Sequence, residues 1–125
     1  MAMAAQITNS IVALLVLSLI TKGYYACTLE DIHVGGETTR KFVGGKPEWK
    51  LTVSNLCECK QSNIKLQCKG FQTTEPVDRN ILNLQGETCL FLNGNPLIEG
   101  SPVTFYYAWE TPFILFPLSS NITCS

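Results

Sequence analysis

The placement of cysteine constrains this 125-residue chain more than any other feature of its sequence. The chain has six cysteines, an even number, and all of them follow an apolar N-terminal run. In a secretory context, such a set predicts a disulfide framework. The positions are Cys27, Cys57, Cys59, Cys68, Cys89 and Cys124.

Spacing limits how these cysteines can pair. Cys57 and Cys59 lie two positions apart on a predicted strand, so we expect them not to pair with each other. The first and last cysteines, Cys27 and Cys124, bracket nearly the whole chain after the N-terminal apolar run. This predicts that disulfides anchor both ends of that part of the chain. A tight turn at Ser62-Asn63 would place Cys57 opposite Cys68, and that cross-strand bridge is one of the pairings left open.

The apolar run at residues 11–20 reads IVALLVLSLI. A membrane span needs about 20 apolar residues, whereas a signal-peptide core needs about 7–15. We therefore predict a signal peptide over residues 1–23, with cleavage between 23 and 26, and a single domain over residues 24–125. The mature protein is expected in the apoplast, secreted and without membrane insertion.

The remainder of the sequence is dominated by strand patterns. Apolar and polar residues alternate from Trp49 to Val53, and residues 103–109 are β-branched and aromatic. Turn residues occur at 35–36, 44–47 and 62–63, and a further short strand is predicted at 113–116. Seven or eight strands with regular turns predict an all-β fold, a small antiparallel β-sandwich stapled by disulfides.

Catalysis and cofactor binding are not expected. His33 is the only histidine, and its place on a short strand favours a solvated side chain. Disulfide pairing would remove every thiolate nucleophile, and Cys57-Glu58-Cys59 lacks the ligand spacing typical of structural zinc. The net charge of −1, without blocks of like charge, makes nucleic acid a poor partner.

Two features indicate surface roles. Alternation along residues 103–109 places Tyr106 opposite a predicted core face, where an exposed ring can stack on a sugar or anchor a protein interface. This motivates one alternative, a cell-wall carbohydrate-binding module, and a secreted enzyme inhibitor also stays open. Asn121-Ile122-Thr123 is an N-glycosylation sequon.

Several longer motifs carry a resemblance. They include Gly45-Lys46-Pro47-Glu48-Trp49, Val53-x-Asn55-x-Cys57-x-Cys59, Gly70-Phe71-Gln72-Thr73 and Val103-x-Phe105-x-Tyr107-Ala108-Trp109. In this order they resemble the plant tapetum-determinant family, whose members are small secreted cysteine-rich proteins. Only residues 24–26 separate the predicted signal peptide from the first cysteine, so we expect a short homologue that needs no second cut.

The resemblance implies an extracellular ligand of a leucine-rich-repeat receptor kinase that controls cell differentiation in the anther or related reproductive tissue. Arg79 stands where the family commonly has proline, which changes the charge and stiffness of that loop. Loop position and exposure give the candidate partner contacts. They are Lys46, Gln72, Thr73, Glu75, Arg79 and Tyr106.

Overall fold

The computed structural model describes residues 26–124, so the predicted signal peptide lies outside the described residues. The regular secondary structure of the described residues consists of seven strands and two short 3-10 helices. The helices are Leu29–Asp31 and Leu92–Gly94. The strands are β1 (Ile32–Val43), β2 (Lys46–Asn55), β3 (Lys60–Gln67), β4 (Leu82–Gln85), β5 (Thr88–Phe91), β6 (Val103–Ala108) and β7 (Pro117–Thr123).

The strands form two antiparallel sheets, which confirms the predicted all-β architecture. One has the order β1-β2-β6 and the other β4-β5-β3-β7. A single apolar core draws buried side chains from both sheets, such as Leu51 and Tyr107 from the first and Leu66 and Phe91 from the second. Within residues 26–124, no helix is long and apolar enough to cross a membrane.

The β1–β2 hairpin differs from the prediction in the length of its turn and in the continuity of β1. Gly44 and Gly45 form the turn with φ values of 58° and 77°, a left-handed pair typical of tight hairpins. Lys46 already belongs to β2. The predicted break at Gly35-Gly36 is wrong, because β1 continues through both glycines. A Cβ at Gly36 would lie 3.3 Å from Leu51 Cδ1, so glycine here allows β1 to pack closely against β2.

The predicted turn at Ser62-Asn63 is also wrong. β3 is continuous, and the left-handed Asn63 (φ 49°) is absorbed as a register shift against β7. Cys57 and Cys68 consequently flank opposite ends of an eight-residue strand, which spans about 26 Å at about 3.3 Å per residue. A bridge between them is therefore excluded, because bridged Cα atoms lie within about 7 Å.

The disulfides are Cys27–Cys57, Cys59–Cys124 and Cys68–Cys89. The expectation that neighbouring Cys57 and Cys59 do not pair is confirmed, and so is the anchoring of both ends of the described chain. The bridges join residues 30, 65 and 21 positions apart. Loop closure on this scale stabilises a fold by about 3–4 kcal/mol per bridge.

The C-terminal part contains one correct and one wrong strand prediction. β6 matches the predicted segment, with Phe105 and Tyr107 buried as expected. Residues 113–116 form no strand; the amide of Phe113 instead donates to the Tyr107 hydroxyl at 2.8 Å. Phe71, Tyr107 and Phe113 form an aromatic cluster with ring centroids 5.2–5.9 Å apart. The last strand begins only at Pro117.

Candidate functional site

The outward face of the β1-β2-β6 sheet carries polar side chains around one exposed ring. Tyr106 pairs across the sheet with Lys50. Both point away from the core, because the residues next to them in each strand are buried or partly buried in it. Tyr106 is 42% exposed, which confirms its predicted exposure. We call the open depression around it, with a volume of about 410 Å³, the polar face. Its residues are Thr39, Lys41, Glu48, Lys50, Glu75 and Tyr106.

Hydrogen bonds between threonine hydroxyls and backbone groups fix the loop that brings Glu75 to the polar face. The Thr73 hydroxyl accepts from the Ala108 amide at 2.9 Å and donates to the Glu75 carbonyl at 2.7 Å. The Thr74 hydroxyl donates to the Val43 carbonyl at 2.6 Å. Thr73 was predicted as a partner contact, but its hydroxyl is engaged in holding Glu75 in place.

Glu48 and Glu75 form a hydrogen-bonded carboxyl pair. The bond to Glu48 is the largest of the causes that raise the pKa of Glu75 to about 7, with burial and the Glu48 charge adding to it. The same bond lowers the pKa of Glu48. A second hydrogen bond, which the Thr39 hydroxyl donates to Glu48 Oε1 at 2.7 Å, lowers it further. Of the two carboxyls, Glu75 therefore keeps its proton to the higher pH.

The carboxyl pair does not have the geometry of a glycosidase. Glycoside hydrolysis uses carboxyls about 5–9.5 Å apart, with room for the sugar or a water between them. The raised pKa of Glu75 indicates that its carboxyl lies against that of Glu48, closer than this separation. The pair instead offers hydrogen-bonding groups next to the exposed Tyr106 ring.

A second depression, of about 280 Å³, contains two other predicted contacts. Gln72 and Arg79 both line it and both are exposed. The loop ahead of β4 is shaped by Asp78, whose carboxylate accepts from the Asn80 amide at 2.9 Å. The structure thus brings Gln72 and Arg79 together but in a depression whose lining does not include Tyr106.

Lys46 lies apart from both depressions. Its ammonium is 2.6 Å from Glu110 Oε1 and 5.3 Å from the centre of the Trp109 ring. The bond from Lys46 lowers the pKa of the Glu110 carboxyl. Trp109 is held in turn by the Trp49 indole, which donates to its carbonyl at 3.1 Å. Lys46 is therefore already engaged within the fold.

The sequence reasoning missed both polar residues that are buried among residues 26–124, Asn55 and Gln61. Asn55 is 2% exposed, and its amide nitrogen donates to the carbonyls of Cys59 (2.8 Å) and Leu97 (3.0 Å). Its side-chain oxygen accepts from the Cys57 amide at 3.0 Å. These bonds fix the turn that carries two of the disulfides. The only signal in the sequence was its place inside the Val53-to-Cys59 motif.

The histidine, the cysteines and the sequon asparagine singled out in the sequence lie in the following surroundings. His33 is exposed near the start of β1, in line with the solvated side chain predicted. The sulfurs of Cys57 and Cys59, whose spacing is not typical of structural zinc, are each bonded in a disulfide. Asn121 is exposed on β7, and its glycosylation stays a prediction.

Sequence comparisons with known proteins place this chain in a family. The family described as "Tapetum determinant 1, C-terminal" matches residues 28–125. TPD1 protein homolog 1 of Arabidopsis thaliana is 26% identical over 102 residues, which cover 78% of this chain and 55% of the relative. TPD1 protein homolog 1A of Oryza sativa subsp. japonica is 27% identical over 95 residues, covering 69% and 42%.

A third relative is more equal in length. A protein of Arabidopsis thaliana described as uncharacterized is 30% identical over 91 residues, which cover 70% of this chain and 71% of the relative. The chain spans about half the length of the other two curated relatives. No solved structure matches it. The match over residues 28–125 extends across every described strand, and this chain belongs to the tapetum-determinant family.

Proposed function

We propose that this protein is a secreted extracellular ligand of a leucine-rich-repeat receptor kinase and controls cell differentiation in plant reproductive tissue. The observation that carries the proposal is the family match over residues 28–125, which is not a match to an enzyme family. Three disulfides support it, because they fit a domain that must persist in an oxidising extracellular space.

The polar face is the contact surface that we propose for the receptor. Leucine-rich repeats present a long concave surface, which accommodates a compact module. A sheet face that is already rigid loses little conformational freedom on binding. Tyr106 supplies an exposed ring of the kind that anchors interfaces, and charged groups surround it, among them Lys50 and Glu75.

Binding to a panel of leucine-rich-repeat receptor ectodomains tests this function. We expect at least one ectodomain to bind the mature, oxidised protein with a Kd in the micromolar range or tighter. Tyr106→Ala should weaken that binding about tenfold, as loss of an anchor residue does. Lys65→Ala is the matched control, because Lys65 is exposed on the other sheet, opposite Leu90 of β5.

The results separate the function from the choice of surface. If no ectodomain of the panel binds at micromolar concentration, the ligand function is wrong. If Lys65→Ala weakens binding and Tyr106→Ala does not, the receptor contacts the other sheet and the ligand function stands.

A cell-wall carbohydrate is the second candidate partner, and the exposed Tyr106 ring is the observation that favours it. Rings exposed on a flat sheet can stack on sugar rings. Retention of the protein on cellulose or on a glycan array, abolished by Tyr106→Ala, would favour this candidate over the receptor.

A further inference from the structure

Two of the three disulfides lie side by side. Cys57 and Cys59 are separated by one residue, and each forms a bridge to a different end of the described chain. The sulfurs of Cys27, Cys57 and Cys59 all lie within 4.8 Å of one another. A sulfur of one bridge is therefore a short side-chain movement away from both sulfurs of the other.

These bridges differ in their access to solvent. Cys27, Cys57 and Cys59 are 8%, 2% and 7% exposed, whereas Cys124 lies exposed at the surface. Cys124 also lines an open depression on the surface. An external thiol can therefore reach the Cys124 sulfur while the neighbouring Cys27–Cys57 bridge stays covered.

We propose that the Cys27–Cys57 and Cys59–Cys124 bridges form a thiol–disulfide exchange site that an external thiol opens at Cys124. The external thiolate attacks Sγ of Cys124, the Cys59–Cys124 bond breaks, and Cys59 leaves as a thiolate. A mixed disulfide now joins the external thiol to Cys124. The electron pair of the broken bond stays on Cys59.

The Cys59 thiolate then attacks the neighbouring bridge. Attack on Cys57 would join two cysteines that are one residue apart, which disulfide geometry disfavours, so attack falls on Cys27. The Cys27–Cys59 bond forms and Cys57 leaves as a thiolate. Cys57 attacks Cys124 in the mixed disulfide and releases the external thiolate, so the bridges are isomerised without net oxidation or reduction.

The exchange re-anchors the C-terminal strand. Among the seven described strands β7 pairs only with β3, and its end is covalently fixed by Cys124. Moving the attachment from Cys59 to Cys57 shifts that anchor by two residues. The polar face belongs to the other sheet, so this inference does not depend on the proposed receptor function.

A variant in which one cysteine is replaced tests the exchange without any reductant. Cys124→Ser leaves Cys59 as a thiol beside the Cys27–Cys57 bridge. After trapping with iodoacetamide and peptide mass spectrometry, we expect the label on both Cys59 and Cys57, together with a Cys27–Cys59 linked peptide. Label confined to Cys59 overturns the proposal.

Cys89→Ser is the matched control. It frees Cys68, whose sulfur is outside the three-sulfur cluster found among residues 26–124. We expect its label to stay on Cys68. Spread of this label to the other cysteines would show general scrambling and overturn a specific exchange site.

The unmodified protein provides a second measurement if Cys124→Ser does not fold. Oxidised protein is incubated with reduced glutathione, quenched with acid and mapped over time. We expect Cys59–Cys124 to open at least about tenfold faster than the buried Cys68–Cys89 bridge, followed by a Cys27–Cys59 peptide. Opening of Cys68–Cys89 first, or reduction at Cys59 and Cys124 with Cys27–Cys57 intact, overturns the proposal.

Discussion

Replacing Asn55 by alanine should strongly destabilise the fold. The substitution removes the side chain that bonds the carbonyls of Cys59 and Leu97 and the amide of Cys57. The Leu97 carbonyl keeps a second donor, the Gln61 amide at 3.3 Å. Two buried backbone groups thus lose the bond that Asn55 supplies, at about 1–3 kcal/mol each. We expect a loss of about 3 kcal/mol, because water entering the cavity recovers part of the total.

Thermal unfolding of the oxidised protein, followed by circular dichroism, measures this loss. For a domain of this size, about 3 kcal/mol corresponds to a Tm lower by about 12–24 °C. The exposed Asn95 gives the control variant Asn95→Ala, which should change stability by less than about 0.5 kcal/mol. Peptide mapping must show native disulfides in both variants. A loss below about 1 kcal/mol for Asn55→Ala would refute the reasoning.

Three further predictions concern other parts of the fold. Tyr107→Phe should lower the free energy of unfolding by about 1 kcal/mol in urea titration, since one buried hydrogen bond is lost; no change would contradict that bond. The raised pKa of Glu75, about 7, means that the folded state binds more protons than the unfolded state above pH 4.5, so stability should fall as pH rises towards and through 7. Glu75→Gln should flatten this part of the pH profile of Tm, and an unchanged profile would rule out the pair with Glu48. Gly44→Ala should lower the Tm more than Gly45→Ala. Both glycines have a left-handed backbone, but only at Gly44 would an added Cβ clash, at 2.9 Å from a threonine carbon. Equal losses of Tm would show that the clash is relieved.

Sequence patterns predicted the fold class because period-two burial is local. Trp49, Leu51 and Val53 share a core-directed face, and the alternation along β6 correctly separates Tyr107 from Tyr106. The same local reasoning failed where a turn residue was accommodated inside a strand. Asn63 adopts a left-handed backbone within β3 and needs no turn, because its partner strand β7 shifts register there.

The candidate site was predictable only in part. Tyr106 was found from its place in a strand, and Glu75 from its place in a loop. That Glu75 meets Glu48 depends on the bonds of the Thr73 and Thr74 hydroxyls to backbone groups of β6 and β1, which join residues 35 and 31 positions apart. No local pattern encodes such contacts.

The sequence by itself determined the disulfide count, the strand alternation and the family, since each is written in residue types and short spacings. Only the tertiary structure decided which cysteines pair, because pairing depends on Cα atoms meeting within about 7 Å after the sheets have formed. The course of β3 separates Cys57 from Cys68 and leaves Cys57 beside Cys59 and Cys27. The six cysteines thus form one buried bridge, Cys68–Cys89, and one pair of adjacent bridges.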